Sequence, residues 1–165
     1  MKLRSPNRRN AMKFAIAVFV ASGVPTGPVR SAPLEGDGVV SVRSAYGFDE
    51  TIRRLKADIA DKKIMFFDAI DQAKLASNAG ITLRPSTLLV FGNPPLGIQF
   101  LTAKPAAGLD WPVRLLVTED AQGQVWVMYT DFDWIARRHG IDNRDAAFAM
   151  ASKVIASIAA SVASK

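Results

Sequence analysis

The sequence contains no cysteine and only one histidine, His139. Without thiols it has no disulfide framework, no thiolate nucleophile, no cysteine-based zinc site and no covalent haem attachment. One imidazole is too few for a conventional zinc centre, and no EF-hand spacing offers calcium an alternative. Neither Gly-x-x-x-x-Gly-Lys nor Gly-x-Gly-x-x-Gly occurs, so the usual backbone cradle for phosphate is missing. Neither Gly-x-Ser-x-Gly nor Ser-x-x-Lys stands in a convincing setting either. The reading is therefore of a protein with no metal and no cofactor.

Acidic residues are missing from one region. Residues 1–31 hold Lys2, Arg4, Arg8, Arg9, Lys13 and Arg30, with no Asp or Glu. The net charge of +6 and isoelectric point near 9.9 suggest a nucleic-acid or anionic partner. Removing those six cations from 21 leaves 15 Lys and Arg against 15 Asp and Glu, a balance of zero. All the excess basicity lies in the leader, and the body has no global charge for binding nucleic acid.

That leader has the three parts of a secretory signal peptide. "MKLRSPNRRNAMK" is a basic start, "FAIAVFVASGV" an apolar segment too short for a permanent membrane span, and Pro25, Gly27 and Pro28 break any helix. Small or aliphatic residues at Val29-Arg30-Ser31 and at Ala21-Ser22-Gly23 offer processing sites. The expectation is a cleaved signal over residues 1–31, a flexible lead-in over 32–38 and one domain over 39–165, periplasmic or secreted, with no membrane span after processing. An uncleaved anchor or a misplaced start is the alternative.

Within the domain, "VVSVRSAY" alternates like a strand, and Asp49 and Glu50 open a helix whose Phe48, Ile52, Leu55 and Ile59 form one apolar stripe. "KIMFFDAI" is apolar on both alternations and reads as a central strand, covered on at least part of each face. "QAKLASNAG" gives one or two helical turns stopped by Gly80. Residues 86–91 form a strand running into Gly92-Asn93-Pro94-Pro95. There Gly92 is expected in a conformation that side chains resist, and Pro94 biases Asn93 away from the helical region. Residues 96–103 suggest a short helix. Strands over 113–118 and 124–130 make a hairpin around Asp120 and Gly123. "DFDWIARRHG" ends as a helix should, with Arg137, Arg138 and His139 before Gly140. A long last helix starts at Asp142 or Asn143 and carries Phe148, Ala151, Ile155, Ile158 and Val162 on one stripe. The order is strand, helix, four strands with helical insertions, helix. It predicts an α+β domain with a mainly antiparallel sheet and its helices on one face.

"GFDETIRRLKADIADKKIMFFDAID", "ITLRPSTLLVFGNPPLG" and "RLLVTEDAQGQVWVMYTD...IARRHGI" together resemble the bacterial family catalogued as domain of unknown function 302. The resemblance runs from Val39 to Ile141 and is strongest in the Leu-Arg-Pro and Phe-Gly-Asn-Pro blocks. It implies a TATA-binding-protein-like fold, in which the last helix packs on a curved sheet, and it implies no established activity. Relatives often carry a histidine after Ile-Asp, where this chain has Gln72. A role for that histidine in metal binding or proton transfer would be lost here.

The candidate site residues each have a plain structural alternative. His139, with Asp131 or Asp133, suits a general base, but at a helix C-terminus an imidazole also satisfies carbonyls. An exposed Asn93 amide at a rigid corner suits a ligand or a partner backbone, whereas Gly92 and the prolines could simply make the turn. Trp111, Trp126, Trp134 and Tyr129 could line a groove. Strand aromatics such as Trp126 and Tyr129 belong more often to a core, which leaves Trp111 as the one expected at the surface. The preferred reading is a non-enzymatic module that binds a small apolar or amphipathic molecule or another protein. An enzyme using His139, Asp131 and Asn93, and a homodimer through a sheet edge or the last helix, are the alternatives.

Overall fold

The computed structural model describes residues 36–163. The leader and most of the lead-in lie outside the described residues. The element order is β1 (Val39–Arg43), α1 (Phe48–Asp61), β2 (Met65–Asp71), α2 (Gln72–Asn78), β3 (Ser86–Gly92), α3 (Pro94–Ala103), a short 3-10 turn (Pro105–Leu109), β4 (Val113–Glu119), β5 (Val125–Thr130), α4 (Phe132–His139) and α5 (Asp145–Ala160). The five strands form one antiparallel sheet in the order β1-β5-β4-β3-β2. The expected α+β class and strand-helix-four-strand-helix order are present, with the helices packed on one face.

Strand alternation decides which face they cover. Leu89 and Phe91 of β3, Leu115 and Val117 of β4, and Val125 and Val127 of β5 point into a single core. From the other side come Leu55 and Ile59 of α1, Phe132 and Ile135 of α4, and the stripe Phe148, Ala151, Ile155, Ile158 and Val162 of α5 and its end. Phe100 of α3 stacks on Phe148 with ring centroids 4.3 Å apart, which fixes α3 against α5. Each fully buried aliphatic side chain contributes about 1.5–3 kcal/mol, and this shared core has to hold the domain without disulfides.

Capping sets the helix limits. The carboxylate of Asp131 accepts from Trp134 N at 2.7 Å, and Gly140 takes the left-handed conformation that ends α4. α5 begins at Asp145 rather than at Asp142 or Asn143, with Arg144 as its first flanking residue. Behind β1, Ser44 Oγ meets Thr51 Oγ1 at 2.7 Å, and Ala45 N donates to Val162 O, so the end of α5 is tied to the start of the domain.

One strand is placed differently from expectation. β2 is an edge strand, not a central one, and Met65, Phe67 and Ile70 remain exposed. Apolar residues on both alternations did not mean cover on both faces. Of β2 only Phe66 packs against the core, the register shifts between Phe66 and Asp68, and among the described residues no helix lies over the second face of the sheet.

Candidate ligand-binding site

The corner after β3 is built by sequence-local rules. Asn93 is extended (φ −106°, ψ 104°), as the following proline favours, and Pro94 and Pro95 occupy the first turn of α3, where a missing N–H costs nothing. The Asn93 carbonyl accepts from Leu96 N and Gly97 N, at 3.1 and 2.9 Å. Its side-chain amide makes no capping bond, so it is available at the rim. Gly92 does not adopt a positive φ, contrary to expectation. Its constraint is proximity, because a Cβ there would sit 3.2 Å from Trp111 Nε1. At Gly97 the same atom would lie at 1.9 Å, an impossible approach. Two glycines therefore make the slot in which the Trp111 indole rests.

Trp111 is half-buried rather than open to solvent, with Phe67 edge-on to it at 6.3 Å. Beneath the indole, Phe91, Leu96, Phe100, Phe132 and Ile155 enclose an apolar cavity of about 40 Å³. That is room for little more than a water-sized group. Beside it runs a wider groove of about 360 Å³ that shares Ile64, Asn93, Leu96 and Val154 with the cavity and has Met150, Lys62 and Lys153 along its outer side. Lys62 is held by Asp58 at 2.6 Å. The arrangement offers an apolar floor, one amide and cationic edges. That set of groups suits the two ends of an amphipathic molecule.

The other candidates lie elsewhere. His139 ends α4 with its side chain only 6% exposed, and its Nε2 donates to Asp110 Oδ2 at 2.6 Å. Its carboxylate partner is therefore Asp110, and Asp131 instead caps α4. Asp110, 4% exposed in its side chain, also accepts from Arg138 Nη1 at 2.9 Å and from Arg114 Nη2 at 3.2 Å. No hydrogen bond joins His139 to Asp131 or Asn93, so the proposed trio is not assembled. Gln72, at the opposite end of β3 from Asn93, accepts from Ser86 Oγ at 2.7 Å. Tyr129 is half-buried beside Leu115; burial, and secondarily the charge of Asp131, push its hydroxyl above the usual value. Trp126 Nε1 donates to Asp120 at 2.8 Å. That bond, followed by the Gln124 N–H, holds the Asp120 carboxyl below its usual range.

Of the expected residues, the structure gathers Gly92, Asn93 and Trp111 at one place and leaves His139, Asp131, Gln72 and Tyr129 apart. Gly97, Leu96 and Asp110 were missed. Gly97 had a signal, an isolated glycine inside a helical stretch. Asp110 had none: Arg114 is only four residues on, but Arg138 and His139, which share its carboxylate, come from a distant segment.

Comparison with known proteins gives three results. A Bacillus stearothermophilus crystal structure, described as an uncharacterized conserved protein DUF302, superposes with a TM-score of 0.70 at 16% identity, covering 77% of this chain and 99% of that one. Proteins named fluoride-specific ion channel FluC 1 from Brucella suis and Brucella abortus are 36% identical over 110 residues. The match takes in 67% of this chain but only 43% and 41% of theirs, so the chain spans about two fifths of the curated relatives it matches. The family profile described as domain of unknown function DUF302 matches residues 40–159, and with that match the chain belongs to the DUF302 family.

Proposed function

We propose that the protein is an exported, non-enzymatic binding module that holds a small amphipathic molecule at the Trp111 corner. The observation that carries this reading is the glycine-made slot: an indole seated over an apolar cavity, opening into a groove with lysines outside and a free amide at the rim. The apolar end of a ligand lies along Leu96, Ile64 and Val154, and its polar end meets Asn93 or the lysines. The cavity alone is too small for such a molecule, so the groove supplies most of the contact.

Titration with decanoate, decylamine and decanol tests this, read by tryptophan fluorescence. A saturable signal for at least one probe, absent in Trp111→Phe, is expected. Asn93→Ala should weaken binding about tenfold while leaving the melting temperature unchanged, because its side chain caps nothing. No saturable response to any of the three would end the proposal.

A second reading follows from the channel relatives. An ion channel must cross the bilayer, and among the described residues no helix is long and apolar enough to do so. We infer that the spanning part of those relatives lies in their larger unmatched share. On this reading the present protein serves fluoride handling at the membrane. A deletion strain should grow less well as fluoride is raised, and unchanged growth across the series would remove the idea.

A further inference from the structure

The second face of the sheet carries a row of apolar side chains with nothing from the described residues packed over it. Ile70, Leu88, Leu116 and Met128 stand side by side across β2, β3, β4 and β5. They alternate with the core residues and so point away from the helices, and none belongs to the core cluster. Ile70 is 36% exposed, and the other three keep part of their surface in solvent. The neighbouring row places Val90 between Asp68 of β2 and Arg114 of β4. Among the described residues Asp68 has no ion-pair partner; the Arg114 side chain is 48% exposed, its Nη2 donates to Leu109 O at 2.6 Å and to Asp110 Oδ1 at 3.2 Å, and its Nε and Nη1 have no partner among the described residues.

We propose that this face joins two copies of the chain, related by a two-fold axis running along β3. The argument is self-complementarity. Strands lie about 4.8 Å apart, so Asp68 and Arg114 flank Val90 at about equal distances. A two-fold along β3 exchanges the positions of β2 and β4. Asp68 of one copy then faces Arg114 of the other, twice over, while Ile70 faces Leu116 and Leu88 and Val90 meet their own counterparts. Sheets pack face to face about 10 Å apart, with strand directions within about 30° of each other, a separation that an arginine and an aspartate can bridge from the two sides. An interface of this kind is isologous and closed, so it stops at the dimer. It is independent of the ligand reading, which uses the opposite side of the sheet.

Sedimentation equilibrium of the full chain over a concentration series tests the proposal. A monomer–dimer equilibrium is expected. Leu116→Glu should raise the dissociation constant about a hundredfold, since it buries a charge at the centre of the contact. Asp68→Arg and Arg114→Asp should each raise it about tenfold, and the double reversal should restore it. Far-UV circular dichroism checks that Arg114→Asp, which also loses the Asp110 bridge, still folds. Asp68→Arg carries no such complication and decides the matter alone if it does not. A monomer at every concentration, a dimer indifferent to Leu116→Glu or to Asp68→Arg, or a folded double reversal no better than its single variants would overturn the proposal.

Discussion

At the scale of single residues, Gly97 separates a packing role from a conformational one. Inside a helix a glycine ordinarily costs about 1 kcal/mol relative to alanine, so Gly97→Ala would usually stabilise α3. Here the added Cβ would meet the Trp111 ring at 1.9 Å. The expected sign is reversed: Gly97→Ala should lose about 1–3 kcal/mol in a urea titration, the ordinary cost of forcing atoms into a filled site. A gain in stability would show that the indole swings away without cost and that the slot is not held. The corner itself was legible in "FGNPPLG", because proline and glycine act on the backbone of their immediate neighbours. The tryptophan that explains both glycines was not, since it reaches them from another element. The same limit applies to His139. Its place at the end of α4 followed from the adjacent cations and Gly140, but its bond to Asp110 depends on how the 3-10 turn that Asp110 follows packs against α4.

Elements were readable where one period dominates. The α1 stripe, the α5 stripe and the β4–β5 hairpin each announce a face and a turn. The structure places all three as the periodicity requires. β2 failed for a definable reason. A run that is apolar on both alternations is compatible with cover on two faces, but also with a strand whose second face is left bare, and sequence alone does not separate the cases. Its exposed Met65, Phe67 and Ile70 lie on a sheet edge that the local bulge makes less regular, a known way of discouraging strand addition. This favours the exposed face over the edge for the dimer proposed above. α5 offers no competing surface along its core stripe, which is spent on the sheet and on Phe100. Asp110 shows how elements are locked once formed: one buried carboxylate gathers Arg114 from β4 and Arg138 and His139 from α4. Such charges are held only while paired, and the two arginines remain partly in water, which moderates the cost of the arrangement.

For the whole molecule, charge is the property that would distinguish a chain with residues 1–31 from one without them. The six cations of residues 1–31 account for the entire excess of +6, and the remainder has equal numbers of acidic and basic side chains. A chain that keeps the leader is strongly basic, attracted to anionic lipid and nucleic acid alike. A chain that has lost it is electrically balanced, so its recognition must come from shape, apolar contact and local pairs such as Asp68 with Arg114. Both proposed surfaces have that character. Export with cleavage should therefore move the isoelectric point from near 9.9 to several units lower, close to neutrality, a shift far larger than a charge variant would give. Isoelectric focusing of material recovered from the periplasm or medium, set beside chain made without export, reads this directly. A single basic band in both fractions would mean that the leader is retained, and with it the attraction to anionic surfaces that the balanced body lacks.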